Sequence, residues 1–131
     1  MFTENERSYL ESARLARIST VSTDGQPDVT PVGFEFDGQN FYVGGFNNTR
    51  TRKYRNVQDG NDKVALVIDD LASVDPWQPR GVRVYGTAEL VDREGYAGAG
   101  SYLKITPTVS WSWSIETSGT PGGTKKTVHK S

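Results

Sequence analysis

Apolar and polar positions alternate most regularly from Val82 to Leu90, where Val82, Val84, Gly86, Ala88 and Leu90 interleave with Arg83, Tyr85, Thr87 and Glu89. That spacing predicts a strand with one face in a core. Upstream, Ala16 to Val21, Val29 to Phe36 and Phe41 to Gly44 are rich in β-formers and separated by Asp24-Gly25 and Asp37-Gly38, which predicts a three-stranded meander. Val64 to Ile68 is a short continuous apolar strand, followed by a loop over 69–79 punctuated by Pro76 and Pro79. Trp111, Trp113 and Ile115 alternate with Ser110, Ser112 and Ser114, so the last strand is expected to bury its tryptophans.

Helical signals are fewer. Thr3 followed by Glu6 matches a capping box and predicts a helix over roughly residues 4 to 13. A second helix starts near Thr51 and ends at Asp59-Gly60-Asn61-Asp62, and a third is expected over 94–103 despite its glycines. Six strands with short helices and no βαβ series predict a mainly β fold, an antiparallel barrel. Residues 1–116 form the domain, and the polar, apolar-poor stretch 117–131 is expected to be a mobile tail.

The chain has 131 residues, 34% of them hydrophobic, which suits one domain with a modest core. Its 15 Lys and Arg balance 16 Asp and Glu, so nucleic acid is not an expected partner. There is no cysteine, and the one histidine, His129, lies among polar residues near the end, which makes thiol and metal chemistry poor expectations. No run approaches a membrane span and the first residues do not read as a signal peptide, so a cytoplasmic protein is expected.

Against that neutral background, Thr49-Arg-Thr-Arg-Lys-Tyr-Arg-Asn56 stands out. Arg50, Thr51, Arg52 and Lys53 at a helix start suit a phosphate, because cations, unpaired amides and the helix dipole act together there. A basic helix start is also a common solvated face, and Arg55 is expected to pair with Asp59 one turn on. Pro31 and Gly33 interrupt the second strand. They fit an edge or a bulge, or a place where a flat ligand lies against backbone. Trp77, between Pro76 and Pro79, fits either stacking on a ligand or plugging a barrel end or dimer contact. No catalytic triad, Walker loop or other catalytic side-chain set is present, so any reactivity must come from a bound cofactor.

The stretches Phe2-Thr3-Glu4 through Tyr9-Leu10, Thr30-Pro31-Val32-Gly33-Phe34, Arg52-Lys53-Tyr54-Arg55-Asn56-Val57, Val64 through Pro76-Trp77 and Arg80-Gly81 through Glu89 carry a family likeness. With them the chain resembles the pyridoxamine 5'-phosphate oxidase-like, coenzyme F420-dependent oxidoreductases of the flavin/deazaflavin split-barrel superfamily. It is most similar to an actinobacterial subgroup that includes a reductase of oxytetracycline biosynthesis. The resemblance implies a six-stranded FMN-binding split barrel that forms a homodimer, with cofactor at the subunit interface and a small organic molecule as substrate. It implies that Thr51, Arg52 and Lys53 hold the cofactor phosphate and that Asn56 fixes the helix start. Arg50 would then serve a further anionic group, since F420 carries an oligoglutamate tail. Pro31, Val32 and Gly33 would back the flat ring, and Trp77, Pro79 and Arg80 would close the site, from the partner chain in one arrangement. FMN in the same position, or an F420 carrier without turnover, are the alternatives it leaves open.

Overall fold

A computed structural model describes residues 1–45, 47–116 and 126–131. Thr3 caps helix α1 (Glu4–Ser12) through the capping box with Glu6. The strands are β1 (Leu15–Val21), β2 (Pro27–Gly33), β3 (Glu35–Phe36), β4 (Phe41–Val43), β5 (Lys63–Ser73), β6 (Gln78–Gly95), β7 (Gly98–Trp113) and β8 (Lys126–Lys130). Helix α2 (Arg52–Gln58) follows a single tight turn at Asn48–Arg50.

The hydrogen-bonded order is β2-β1-β5-β6-β7-β4-β3, with β8 on β7. The two ends of that path, β2 and β3, are consecutive in the chain and separated only by Phe34, so the sheet curls round a split barrel. No ladder joins β2 to β3. Instead the Tyr96 hydroxyl bridges the seam, donating to Gly33 O at 2.7 Å and accepting from Gly44 N at 2.8 Å. Leu10, Ile18, Leu66, Ile68, Val82, Val84, Leu103 and Ile105 fill the interior. Phe2 closes it with edge contacts to Phe36 and Phe41.

Among the described residues eight strands replace the six expected, because one expected run splits in two and the expected tail supplies another. The second apolar run breaks at Phe34: its first half pairs with β1 and its second with β4, so the predicted meander is two separate hairpins. Pro31 is tolerated because β2 is an edge. The expected helix over 94–103 is the β6–β7 hairpin, with Gly95 paired to Gly98 across a two-residue turn and Gly98 at φ 86°. The expected tail includes β8, which pairs with β7 from Val109 to Trp113, while 117–125 lie outside the described residues. Most of the expected 69–79 loop is strand as well, since β5 and β6 stay paired from Ile68–Val82 out to Ser73–Gln78.

The tryptophan face is also reversed. Ser110 and Ser112 point inward and are buried, whereas Trp111 lies outside against Arg83 and Tyr85. The cause is a buried polar cluster. Glu6, 1% exposed, accepts from Ser112 Oγ and from Thr3 N, and its Oε1 lies 3.0 Å from His129 Nε2. A tryptophan facing that carboxylate would strand its charge in an apolar pocket.

At about 3.3 Å per residue, eighteen-residue β6 would reach about 60 Å if straight, twice a small domain's width, so it has to bend. It does so at the register shift between Tyr85 and Gly86. A β-carbon on Gly86 would sit 2.5 Å from Thr106 O, backbone that cannot retreat without breaking the ladder. Gly86→Ala is therefore expected to destabilise the fold by about 2–3 kcal/mol, read as a lower urea midpoint with unchanged slope. An unchanged midpoint would contradict this placement.

Candidate functional site

The basic segment is mounted at the end of the barrel where β1 and β2 meet. Asn56 pins α2 there, its Nδ2 donating to Thr20 Oγ1 at 2.9 Å. Thr51 caps α2, its hydroxyl accepting from Tyr54 N and donating to Asn48 O at 2.6 Å. That hydroxyl is therefore engaged in the backbone turn. The helix is only seven residues long, so side-chain cations rather than a macrodipole dominate the local field.

Lys53 is the unusual cation. Its side chain is buried, 7% exposed, and among the described residues its ammonium has no ion-pair or hydrogen-bond partner. Burial pushes its pKa below the usual lysine range, and the nearby Asp28 carboxylate acts weakly against that shift. Arg50 and Arg52 are exposed. Arg55 makes no side-chain ion pair among the described residues, so the expected Arg55–Asp59 pair does not form; Asp59 donates its backbone N–H to Arg55 O at 2.8 Å instead.

Arg52 borders a cleft of about 530 Å³ together with Ser22, Asp24, Asp28, Asn56 and Asp59. The sequence reading missed Asp24 and Asp28 at this site, which come from the β1–β2 hairpin. Asp24 is held below the usual carboxylate range chiefly by hydrogen bonds from Ser22 and from the Gln26 backbone, with a smaller contribution from Arg52. The Asp24-Gly25 turn signal was the clue, because it places short acidic side chains beside whatever packs on β1.

The other expected residues lie elsewhere. Val32 is in the core, whereas its neighbours Pro31 and Gly33 are exposed on β2. Asp28, beside Lys53, and Gly33 are five residues apart on that strand, about 17 Å. Trp77 is 65% exposed at the tip of the β5–β6 hairpin. Arg80, nearby, grips Asp70 in a two-point ion pair at 2.7 and 2.9 Å, lies over the Tyr9 ring, and Tyr9 OH donates to Asp70 at 2.8 Å. Hydrogen bonds from Arg80 and Tyr9 hold Asp70 below the usual range, and burial with Asp70 pushes the Tyr9 phenol up. The register puts this group at the end of β5 and β6 away from α2, so within one chain the basic segment and the Trp77–Pro79–Arg80 group do not meet.

A sequence model of the pyridoxamine 5'-phosphate oxidase family matches residues 2–112. The chain belongs to that family. A 5a,11a-dehydrotetracycline/5a,11a-dehydrooxytetracycline reductase of Streptomyces rimosus is 36% identical over 121 residues, covering 88% of this chain and 84% of that protein. Among solved structures, an F420 reductase superposes with a TM-score of 0.65 at 22% identity, over 83% of this chain and 98% of the other. A conserved hypothetical protein from Mycobacterium tuberculosis gives 0.70 at 21% identity, over 94% and 91%. At those identities the structural neighbours establish the split-barrel fold. Among the described residues of this family member, no helix is long and apolar enough to cross a membrane.

Proposed function

We propose that the protein is a cytoplasmic oxidoreductase that binds coenzyme F420, in a homodimer, and reduces a small organic acceptor with a conjugated double bond. The observation that carries this reading is Lys53, a buried lysine whose ammonium has no ion-pair or hydrogen-bond partner among the described residues, flanked by exposed Arg50 and Arg52. That donor set suits a phosphate with a further anionic extension, and it fits the family and the reductase relative. When bound, the deazaflavin supplies a hydride. The chain's own tasks are to hold the phosphate at Lys53 and Arg52, offer Arg50 to the rest of the anionic tail, and present the outward face of Pro31 and Gly33 to the ring.

Two copies account for the separation of the expected site residues. Trp77, Pro79 and Arg80 lie too far from α2 to reach the same cofactor in one chain, whereas a partner could bring them there. Exposed Val29, 69% accessible, and Val21 and Tyr85 on the outer sheet face are apolar surface for a second copy to cover. Gel filtration is expected to show a dimer, and a monomer at micromolar concentration would remove the two-chain site.

FMN shares the phosphate and is the alternative cofactor. The reaction is tested by mixing purified protein with reduced F420 and a panel of enones, quinones and tetracycline-like acceptors. Return of oxidised deazaflavin absorbance with loss of the acceptor double bond is expected. Protein that purifies yellow with a flavin spectrum would move the reading to FMN, and F420 binding without turnover on any acceptor would make it a carrier.

A pH dependence follows from Lys53. A bound phosphate favours the protonated ammonium, so affinity is full below the lowered pKa of the free protein. It falls by about tenfold per pH unit as pH rises through that value, until the higher pKa of the complex is passed. Fluorescence titration of the cofactor across the alkaline range reads this directly, and constant affinity there would clear Lys53 of the role.

A further inference from the structure

A cavity of about 390 Å³ opens between the C-terminal end of α1 and the β6–β7 turn, bordered by Glu11, Ser12, Arg14, Gly33, Phe34 and Tyr96. It adjoins the outward face of Gly33, where the function proposed above puts the ring. The group that approaches this face is the Tyr96 ring, 3.4 Å from where a β-carbon on Gly33 would lie. Three other contacts fix that tyrosine. Its hydroxyl lies between Gly33 O and Gly44 N, its backbone N–H reaches the Glu35 carboxylate at 3.2 Å, and the Tyr102 ring packs edge-on at 5.8 Å. It is nonetheless 46% exposed, so the cavity reaches a phenol of fixed position.

We propose that this cavity is the acceptor subsite, that Arg14 receives the carbonyl oxygen of a small conjugated ketone, and that Tyr96 is the proton donor. The inference rests on the oxidoreductase reading. Saturating a conjugated double bond takes a hydride at one carbon and a proton at the carbon next to the carbonyl, with the intervening charge on the carbonyl oxygen as an enolate. Arg14, an exposed residue of the cavity lining, is the cation for that oxygen. It cannot supply the proton, since arginine does not release one in a protein, and ionised carboxylates only accept. The Ser12 hydroxyl already donates to Tyr9 O at 2.8 Å. That leaves the phenol, which like any tyrosine carries its proton at neutral pH and which burial pushes further above its ordinary pKa.

The step needs little motion. Rotation about the C–O bond turns the hydroxyl hydrogen from Gly33 O into the cavity. The O–H bond breaks as the enolate electron pair forms the new C–H bond, and Gly44 N–H stays in place to stabilise the phenolate. Water entering through the open side of the cavity returns the proton.

The test compares wild type, Tyr96→Phe and Arg14→Gln, each with cofactor bound. Tyr96→Phe is expected to keep the cofactor dissociation constant within about twofold while kcat for enone reduction falls about 100-fold. Hydride transfer to N-methylacridinium, a cationic acceptor that needs no proton, should be unchanged in that variant. An equal loss with both acceptors would make Tyr96 a structural strap and overturn the proposal. A readout without turnover is the calorimetric affinity for the enolate of 1,3-cyclohexanedione, expected to weaken about tenfold in both variants. Arg14→Gln leaves every Tyr96 contact in place, so unchanged enolate affinity there would overturn the subsite even if Tyr96→Phe folds poorly. Failure of the wild type to bind any flavin or deazaflavin would overturn the oxidoreductase reading, and this one with it. Normal cofactor binding with full enone activity in Tyr96→Phe would overturn the proton donor alone.

Discussion

Lys53→Met is expected to weaken cofactor binding about 10- to 100-fold, the 1.5–3 kcal/mol of one charge-assisted hydrogen bond, while making the protein more stable. The opposite signs come from one fact. The Lys53 side chain is buried and its ammonium has no ion-pair or hydrogen-bond partner among the described residues, so the free protein bears its desolvation, offset only weakly by Asp28 until an anion binds. Methionine keeps most of the stem's volume, and its removal of the charge is expected to raise unfolding free energy by about 1 kcal/mol. The pH dependence separates this from simple repacking. Between the lowered folded pKa and the unfolded value of about 10.4, the unfolded state binds more protons than the native one, so wild-type stability rises with pH across that window. The methionine variant lacks that rise. Denaturant titrations at several pH values check it, and a variant that loses both affinity and stability would show that Lys53 is paired in the native protein.

Glu6→Ala is expected to cost the most stability of any single change, about 3–5 kcal/mol, because it breaks a buried network at several points. Thr3 N–H loses its acceptor and the capping box with it, Ser112 loses the partner of its buried hydroxyl, and His129 Nε2 loses the carboxylate oxygen 3.0 Å away. A cavity adds to the loss. At roughly 3–5 °C per kcal/mol for a domain of this size, the melting temperature should fall about 10–20 °C. Glu6→Gln keeps the volume and one acceptor oxygen and should lose less. A fall under about 1 kcal/mol for the alanine variant would mean the cluster is wet or frayed in solution.

These two residues show what the sequence made legible and what it did not. Glu6 was visible as half of a capping box, a local signal spanning four residues. That it also faces Ser112 and His129, more than a hundred positions away, was not, and so the Ser–Trp alternation in β7 was assigned to the wrong face. Alternation fixes that two faces differ; it does not say which one is inward when a buried carboxylate takes a hydrogen bond from Ser112. The cation cluster was legible as a local anomaly. Its counter-charges, Asp24 and Asp28, were hidden because they meet α2 only through the β1–β2 hairpin and the packing of Asn56 on Thr20.

The β6–β7 hairpin was missed for a different reason. A helix over 94–103 treats the glycines as a cost to be borne, whereas here they mark a turn. In the fold, Gly98 takes a left-handed φ at the turn, and Tyr102 O–H closes it on Gly98 O at 2.6 Å. Tyr96 was hidden inside that error, although its hydroxyl closes the barrel seam beside Gly33. The regular period-two run at 82–90, by contrast, is the spine of β6, with Val82 and Val84 wholly buried. Local periodicity and caps thus reported the elements, while the register between distant strands decided which side chains form the site.

The central claim is that the basic segment at α2 holds a phosphate-bearing flavin-like cofactor, and it is tested most directly by the phosphate's own contribution to binding. Equilibrium titration should compare F420 with its phosphate-free deazaflavin chromophore, and FMN with riboflavin, on wild type and Lys53→Met. The account predicts that the phosphorylated member of at least one pair binds the wild type 100-fold or more tighter, roughly two charge-assisted contacts, and that Lys53→Met removes most of that advantage. Equal affinity for the phosphorylated and phosphate-free members of both pairs would contradict it.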